Sequence, residues 1–132
     1  MKPPFLDTNI LIYAFSDDPR SVKAQECLAN PFILSTQALN EFSNVALRKL
    51  GMTVADVRGA LSDICLLAED VLPLDRDLQS LALDIIERHR LSFYDGLMLA
   101  AACQAGCEIF LTEDMQHGLT IDHGPQVVNP FV

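Results

Sequence analysis

The sequence predicts an α/β domain in which helices cover both faces of a mostly parallel sheet. Short apolar runs, each too short to form a helix, alternate along the chain with longer stretches of helical periodicity. Strands that alternate with helices form parallel sheets whose two faces are both buried. The 132 residues suit one domain and contain neither a repeat nor a Gly/Ser linker, so a single domain over residues 1–132 is expected.

Five apolar runs are the predicted strands, and turn or capping residues bound each of them. They occupy residues 4–6, 32–34, 71–74, 109–111 and 126–128. Six predicted helices lie between them, at residues 9–15, 21–29, 36–50, 54–69, 76–90 and 93–105. Ser35, Thr53, Asp75 and Ser92 are suitable N-caps, and Gly51 and Gly106 suit C-terminal positions with positive φ.

A polar side chain follows four of the predicted strands: Asp7, Ser35, Asp75 and Thr112. In open parallel sheets, ligands bind beyond the carboxyl ends of the strands, at the crevice where the strand order reverses. A functional site is therefore expected at this edge of the sheet.

The composition narrows the function classes. The chain has 9 basic and 18 acidic residues, a net charge of −9, and no Lys or Arg follows Arg90. The negative electrostatic potential of so acidic a protein repels a polyanion unless a divalent cation or a local basic patch reverses the sign of the potential at the site. No stretch is apolar enough to span a bilayer and the N-terminus does not resemble a signal peptide, so a cytoplasmic protein without membrane contact is expected.

Cysteine and histidine are expected to be structural. The chain is large enough to fold without disulfides, and its cysteines lie in apolar helical stretches, so they are predicted to be reduced core residues. These are Cys27, Cys65, Cys103 and Cys107. The histidines His89, His117 and His123 lie at a helix end or in a late loop, which disfavours a histidine acid–base pair.

Asp7 and Glu41 are the first two candidate site acids. Asp7 follows the first strand and precedes Thr8-Asn9, although such a segment is also typical of a helix N-cap. Glu41 lies two turns into the third helix, beside its core stripe and too deep for a capping role. An ordinary solvent-exposed Glu is the alternative there.

Asp95 and Asp114 are the other two candidates. Asp95 opens a helix that is apolar on all sides and therefore buried, although Ser92-x-x-Asp95 also matches a capping box. In Thr112-Glu113-Asp114, an extended chain would direct Asp114 to the same side as Thr112, which favours it over Glu113. A charged loop without a function is the alternative.

These four acids would form an oxygen-only ligand set, which selects hard cations such as Mg²⁺ or Mn²⁺. Such cations polarise phosphoryl oxygens and lower the pKa of a bound water. No P-loop, Gly-x-Gly-x-x-Gly segment or serine nucleophile elbow competes with this interpretation. The acids therefore predict metal-dependent hydrolysis of a phosphodiester.

The segments that carry these residues resemble the PIN domain, especially the VapC-like ribonuclease toxins of type II toxin–antitoxin pairs. They are Leu6-Asp7-Thr8-Asn9, Ser35 with Glu41, Phe93-Tyr94-Asp95 and Leu111-Thr112-Glu113-Asp114-Met115. The resemblance spans nearly the whole chain. It implies a three-layer α/β/α fold with a five-stranded sheet of order 3-2-1-4-5, which makes Asp7 and Asp114 neighbours and sends Asp75 to a sheet edge as an N-cap outside the site.

The resemblance also implies the roles of the residues. Asp7, Glu41, Asp95 and Asp114 would be the catalytic Mg²⁺ ligands. Thr8, Asn9, Ser35 and Thr112 would orient carboxylates or water. Because the chain is so acidic, its grip on RNA would have to come from Arg20, Lys23, Arg48 and Lys49. Gly96 stands where the family more often has Ala, which should loosen the start of that helix slightly.

The implied activity is cleavage within an RNA chain that leaves a 5′-phosphate, held inactive by an antitoxin whose C-terminal segment lies across the cleft. The high apolar content indicates apolar surface, for a homodimer or a captured antitoxin helix. One alternative is a catalytically idle PIN-like binding module. A receiver-like phosphoacceptor domain would need a Lys after the last strand, and none follows Lys49. A haloacid-dehalogenase-type phosphatase would need an Asp where Asn9 stands.

Overall fold

A computed structural model describes residues 2–132. The strands are β1 (Phe5–Leu6), β2 (Ile33–Ser35), β3 (Asp70–Leu72), β4 (Ile109–Leu111) and β5 (Gln126–Val128). The helices are α1 (Thr8–Ala14), α2 (Ser21–Ala29), α3 (Thr36–Lys49), α4 (Val54–Leu67), α5 (Arg76–His89) and α6 (Phe93–Ala105). Every predicted strand and helix is present, with bounds within two residues of the prediction.

The five strands form one parallel sheet of order β3-β2-β1-β4-β5. This confirms the predicted order, which differs from the 2-1-3-4-5 order of receiver domains. The central strand is β1, where Phe5 pairs with both Ile33 and Phe110. Successive residues of a strand point to opposite faces, and Phe5 and Leu6 are both 0% exposed, so helices cover both faces of the sheet.

Helix α6 is buried around its whole circumference over residues 96–102, as its apolar sequence predicts. At Gly96 a Cβ atom would collide with Ile86 Cγ2 and lie 3.1 Å from the carbonyl oxygen of Ala82, both on α5. The two helices therefore approach too closely for a side chain at this position. Gly96 allows this close packing of α5 and α6, a role that its low helix propensity did not indicate.

The local signals that bound the helices are largely confirmed. Side-chain oxygens of Thr53, Asp75 and Ser92 accept hydrogen bonds from the amides of Asp56, Leu78 and Asp95. Gly51 and Gly106 have φ of 67° and 74°. Ser35 is the N-cap residue of α3, as predicted, but its side chain makes no capping hydrogen bond.

All four cysteines are free thiols. Cys107 is buried, Cys27 and Cys103 are half-buried, and Cys65 is exposed, so the prediction of a core residue is wrong for Cys65. Across residues 2–132, each helix is too short or too polar to traverse a lipid bilayer.

Candidate functional site

The four predicted acids line one cleft of about 300 Å³ at the carboxyl edge of the sheet. The strand order makes β1 and β4 neighbours, so Asp7 after β1 lies beside Thr112 after β4, and the Asp7 amide donates to Leu111 O at 3.0 Å. Glu41 reaches the cleft from the second turn of α3, and Asp95 from the first turn of α6. Asp114, the fourth acid, follows β4. The other lining residues are Thr8, Asn9, Ile12, Asn44 and Val45.

Asp7 is the only one of the four acids that is buried, with 6% of its surface exposed. Its Oδ1 accepts from the Thr8 amide at 2.7 Å, and its Oδ2 accepts from the Thr112 hydroxyl at 2.8 Å. Burial raises the pKa of Asp7 to about 7, against these two hydrogen bonds, and the charges of Asp95 and Glu41 add to the rise. Asp7 therefore caps α1 with one oxygen, binds Thr112 with the other and lines the cleft, so its capping role does not exclude a role in the site.

Asn9 joins the ends of the two adjacent strands. Its side-chain amide donates to Asp114 Oδ2 and to Thr112 Oγ1, both at 3.0 Å, and lies 3.5 Å from Asp7 Oδ2. The side-chain oxygen of Asn9, Oδ1, accepts from the backbone amide of Glu113 at 3.3 Å. Asn9 thus keeps the carboxylates of Asp7 and Asp114 near each other while its N–H groups lie between their negative charges.

Glu41 is oriented by two hydrogen-bond donors. The Thr8 hydroxyl donates to Oε2 at 2.8 Å, and the Gln37 amide donates to Oε1 at 3.2 Å. Gln37 was not predicted as a site residue, although its i,i+4 spacing from Glu41 on one helix is a signal for such a contact. With both oxygens engaged, Glu41 is not a freely solvated surface acid.

Asp95 combines a cap with a place in the cleft. Burial raises the pKa of its carboxyl, and Asp114 and Glu41 raise it further. Its backbone amide donates to Ser92 Oγ at 3.3 Å, which is the first of the two bonds of the predicted capping box and the only one that forms between these two residues. Asp114, in contrast, is exposed at the rim, and its amide donates to Thr112 Oγ1 at 3.0 Å.

The donor set suits a hard divalent cation, because the cleft offers carboxylate, amide and hydroxyl oxygens. Within residues 2–132, no three His, Cys, Asp or Glu side chains lie close enough together to hold one ion directly between them. Mg²⁺ keeps several waters and usually takes few carboxylates directly. The arrangement therefore fits a hydrated ion that meets some of the acids through water.

Some predicted site residues lie elsewhere. Ser35 is buried and its hydroxyl donates to Met98 Sδ at 3.3 Å, so it joins β2 to α6 and does not line the cleft. Asp75 caps α5 outside the cleft, as predicted. The backbone amide of Asn129 donates to Nδ1 of His117 at 2.9 Å, which agrees with a structural role for that histidine.

The four predicted RNA-binding residues do not line the cleft in the described part of the chain. Arg20 pairs with Asp18 and Glu113, and Lys23 lies 3.5 Å from Glu26. Arg48 and Lys49 are exposed in the last turn of α3. Arg48 follows the cleft-lining residues Glu41 and Asn44 at intervals of seven and four, so it continues the same face of the helix.

Residues 5–118 match the family model described as PIN domain. No curated protein sequence matches the chain. Among solved structures, a chain described as a toxin–antitoxin complex from Klebsiella pneumoniae is 21% identical, with a TM-score of 0.74 over 96% of this chain and 97% of that chain.

Two further solved structures are similar. Mycobacterium tuberculosis VapC20, described as a sarcin-ricin loop cleaving toxin, is 21% identical, with a TM-score of 0.64 over 80% of this chain and 85% of that one. Rickettsia felis VapBC2, described as bound to a DNA fragment from its promoter, is 18% identical, with a TM-score of 0.67 over 95% and 96%. At these identities, the likeness shows a shared fold.

Proposed function

The chain belongs to the PIN domain family, and on that premise we propose that it is a Mg²⁺-dependent endoribonuclease acting as the toxin of a toxin–antitoxin pair. It hydrolyses phosphodiester bonds within an RNA chain and leaves a 5′-phosphate on the downstream product. Solved structures of the same fold described as toxins support the general assignment.

One observation carries the proposal: Asp7, Glu41, Asp95 and Asp114 share a cleft. Ionised acids in a partly buried space repel one another, and burial costs each of them hydration. The pKa of Asp7, raised to about 7, reflects the free-energy cost of ionising this buried carboxyl. A divalent cation would offset it, and no buried Lys or Arg lines the cleft to do so within residues 2–132.

In this proposal the four acids hold Mg²⁺, or Mn²⁺ in its place, some of them through water. The bound ion would supply a polarised phosphoryl oxygen, a more acidic water and positive charge for the transition state. The chain's own polar groups orient the acids. Thr112 and Thr8 hold the two oxygens of Asp7, so its carboxylate keeps one orientation after losing its proton near neutral pH.

The remaining acids are oriented in the same way. Thr8 and Gln37 hold the two oxygens of Glu41, and Asn9 holds Asp114. A phosphate that enters the cleft would meet acids in fixed positions, which is how positioning lowers the barrier to phosphoryl transfer.

RNA must approach a chain of net charge −9. We assign its backbone contacts to Arg48 and Lys49 at the end of α3, with Arg20 and Lys23 at the start of α2 as further contacts. Arg48 is the best placed, because it extends the cleft-lining face of α3. Binding without metal is expected to be weak and strongly dependent on salt.

An antitoxin is the proposed protein partner. An apolar groove is lined by Ala14, Phe15, Gln25, Leu28, Ala29 and Leu67. Helix α1 contributes to both this groove and the cleft, with Ile12 in the cleft and Ala14 in the groove. These two residues are two apart and lie on opposite sides of the helix, so an antitoxin that fills the groove with an apolar face would reach the cleft by a segment that passes around α1. Because RNA and the antitoxin are both intracellular, we place this activity in the cytoplasm.

A homodimer is also proposed, because Leu66, Leu83 and Tyr94 expose 82%, 55% and 58% of their surface. Analytical ultracentrifugation of the purified chain measures its oligomeric state, and a monomer at every protein concentration would contradict the homodimer.

The experiment that tests the activity is incubation of the purified chain with total cellular RNA in Mg²⁺, Mn²⁺ or EDTA, followed by mapping of the cut ends. We expect cleavage with either metal, 5′-phosphate ends, and none in EDTA. Asp7→Asn and Asp95→Asn should abolish it, whereas Asp122→Asn, which alters an exposed acid, should not. Metal-independent cutting, or full activity in both site variants, would refute the proposal.

A catalytically idle binding module is the second candidate, favoured by the lack of three converged metal-binding side chains in residues 2–132. Thermal unfolding with added Mn²⁺ separates the two. A ligand that binds the folded chain raises the unfolding temperature by linkage, and an idle module would show no such rise.

A further inference from the structure

A cluster of Tyr13, Asp18, Arg20 and Glu113 adjoins Asn9 and Asp114, and it has no part in the proposed reaction apart from the RNA contact assigned to Arg20. Asp18 accepts from Nε and Nη2 of Arg20 at 2.7 and 2.6 Å, and Arg20 Nη1 pairs with Glu113 Oε1. The guanidinium carbon of Arg20 lies 4.0 Å from the centre of the Tyr13 ring. All three guanidinium nitrogens and one face of the group are thus engaged, which holds this side chain in one orientation.

Tyr13 connects the cluster to the same helix face that carries Asn9. The two residues are four apart on α1 and therefore stand one turn apart on one face. Asn9 binds the backbone amide of Glu113, and the Tyr13 hydroxyl donates to the Glu113 carboxylate at 3.0 Å. Glu113 is consequently held at both its backbone and its side chain.

The segment that Glu113 anchors also carries Asp114. Residues 112–125 connect β4 to β5, and this connection is longer than most. Asp114 is exposed and its carboxylate has one side-chain partner among residues 2–132, the amide of Asn9. The adjacent residue, Glu113, makes the stronger contacts, so they fix the backbone from which Asp114 extends.

We propose that Glu113 and Arg20 are positioning residues that hold Asp114 where it can meet the metal ion, Arg20 acting through Glu113. Glu113 faces Arg20 and Tyr13 and does not line the cleft, so it is not a ligand itself. The inference rests on the proposed function for the presence of an ion. A role in fold stability alone would leave metal affinity unchanged, which makes the two roles separable.

The test compares Mn²⁺ affinity, measured as free Mn²⁺ by electron paramagnetic resonance, in the wild-type chain, Glu113→Gln, Arg20→Gln and the double variant. Gln at 113 keeps an acceptor for Tyr13 but loses the charge that holds Arg20. Each single variant should weaken Mn²⁺ binding about 10-fold, the scale seen for residues that orient metal ligands. The double variant should weaken it no further, because both changes remove one contact.

The matched control is Asp122→Asn, which also replaces an acid of the 112–125 connection and also removes an ion pair, with Arg88 at 3.9 Å. It should leave Mn²⁺ affinity unchanged. A second, metal-free measurement is hydrogen exchange of the backbone amides of Glu113 and Asp114, which should quicken in Glu113→Gln and not in Asp122→Asn.

Equal Mn²⁺ affinity in the wild-type chain and both single variants would overturn the positioning role and leave the ribonuclease proposal intact. A wild-type chain that binds Mn²⁺ but cuts no RNA would overturn the ribonuclease proposal, and the affinities would still decide the positioning role. A wild-type chain that binds no Mn²⁺ would overturn both.

Discussion

Replacing Asp7 by Asn measures the electrostatic cost of the cleft directly. Asp7 is buried, and burial raises the pKa of its carboxyl from 3.8 to about 7. The unfolded chain exposes this carboxyl to water and keeps its pKa near the ordinary value. At about 1.4 kcal/mol for each tenfold change in proton affinity, ionising Asp7 in the folded chain costs roughly 4 kcal/mol.

The sign of the pH dependence follows from the raised pKa. Between about pH 4 and pH 7 the folded chain holds the proton of Asp7 and the unfolded chain has lost it. The free energy of unfolding therefore falls as the pH rises through this window, and levels off above it. Asn does not ionise, so the free energy of unfolding of the variant lacks this decrease. The Asn N–H group would face the Thr112 hydroxyl that donates to Asp7 Oδ2, which costs about 1 kcal/mol.

The assay is urea unfolding in EDTA at about pH 5.5 and about pH 8.5. Asp7→Asn should stabilise the chain by roughly 3 kcal/mol at the higher pH, and by about 2 kcal/mol less at the lower pH. Asp122→Asn, at an exposed acid, should show little change at either pH. A stabilisation that does not depend on pH, or a loss of stability at the higher pH, would refute the reasoning.

Two further substitutions test the packing and the RNA-binding face. Gly96→Ala should destabilise the chain by about 1–3 kcal/mol in urea unfolding, because the added methyl group would meet Ile86. The control is Gly59→Ala, in a helix with open space around it, which should stabilise the chain by about 0.5–1 kcal/mol. Equal effects of the two substitutions would contradict the close contact at Gly96. Arg48→Ala should weaken RNA binding across sequences and reduce the salt dependence by about one counterion, measured by fluorescence anisotropy in EDTA. Lys23→Ala should change it less, and the reverse order would exclude Arg48 as the main contact.

The sequence predicted the elements well because their signals are local. Capping residues, apolar periodicity and turn glycines act within one or two turns of chain, and the bounds they predict agree with the structure within two residues. The preference for Asp114 over Glu113 rested on strand alternation, and Asp114 lines the cleft while Glu113 does not. Ser35 was predicted from its place after a strand, yet its hydroxyl contacts Met98, a partner 63 residues away that no local pattern indicates.

The alternation of strands and helices, and the polar groups that follow the strands, could be read from the chain alone, because both follow from short-range periodicity and propensity. Which of these groups meet depends on how the strands and helices assemble. The hydrogen bond from Thr112 to Asp7 spans 105 residues, and the pairing of Arg20 with Glu113 spans 93. The first contact follows from the strand order, which makes β1 and β4 neighbours, and the burial that raises the pKa of Asp7 arises only when the helices and the sheet assemble around it.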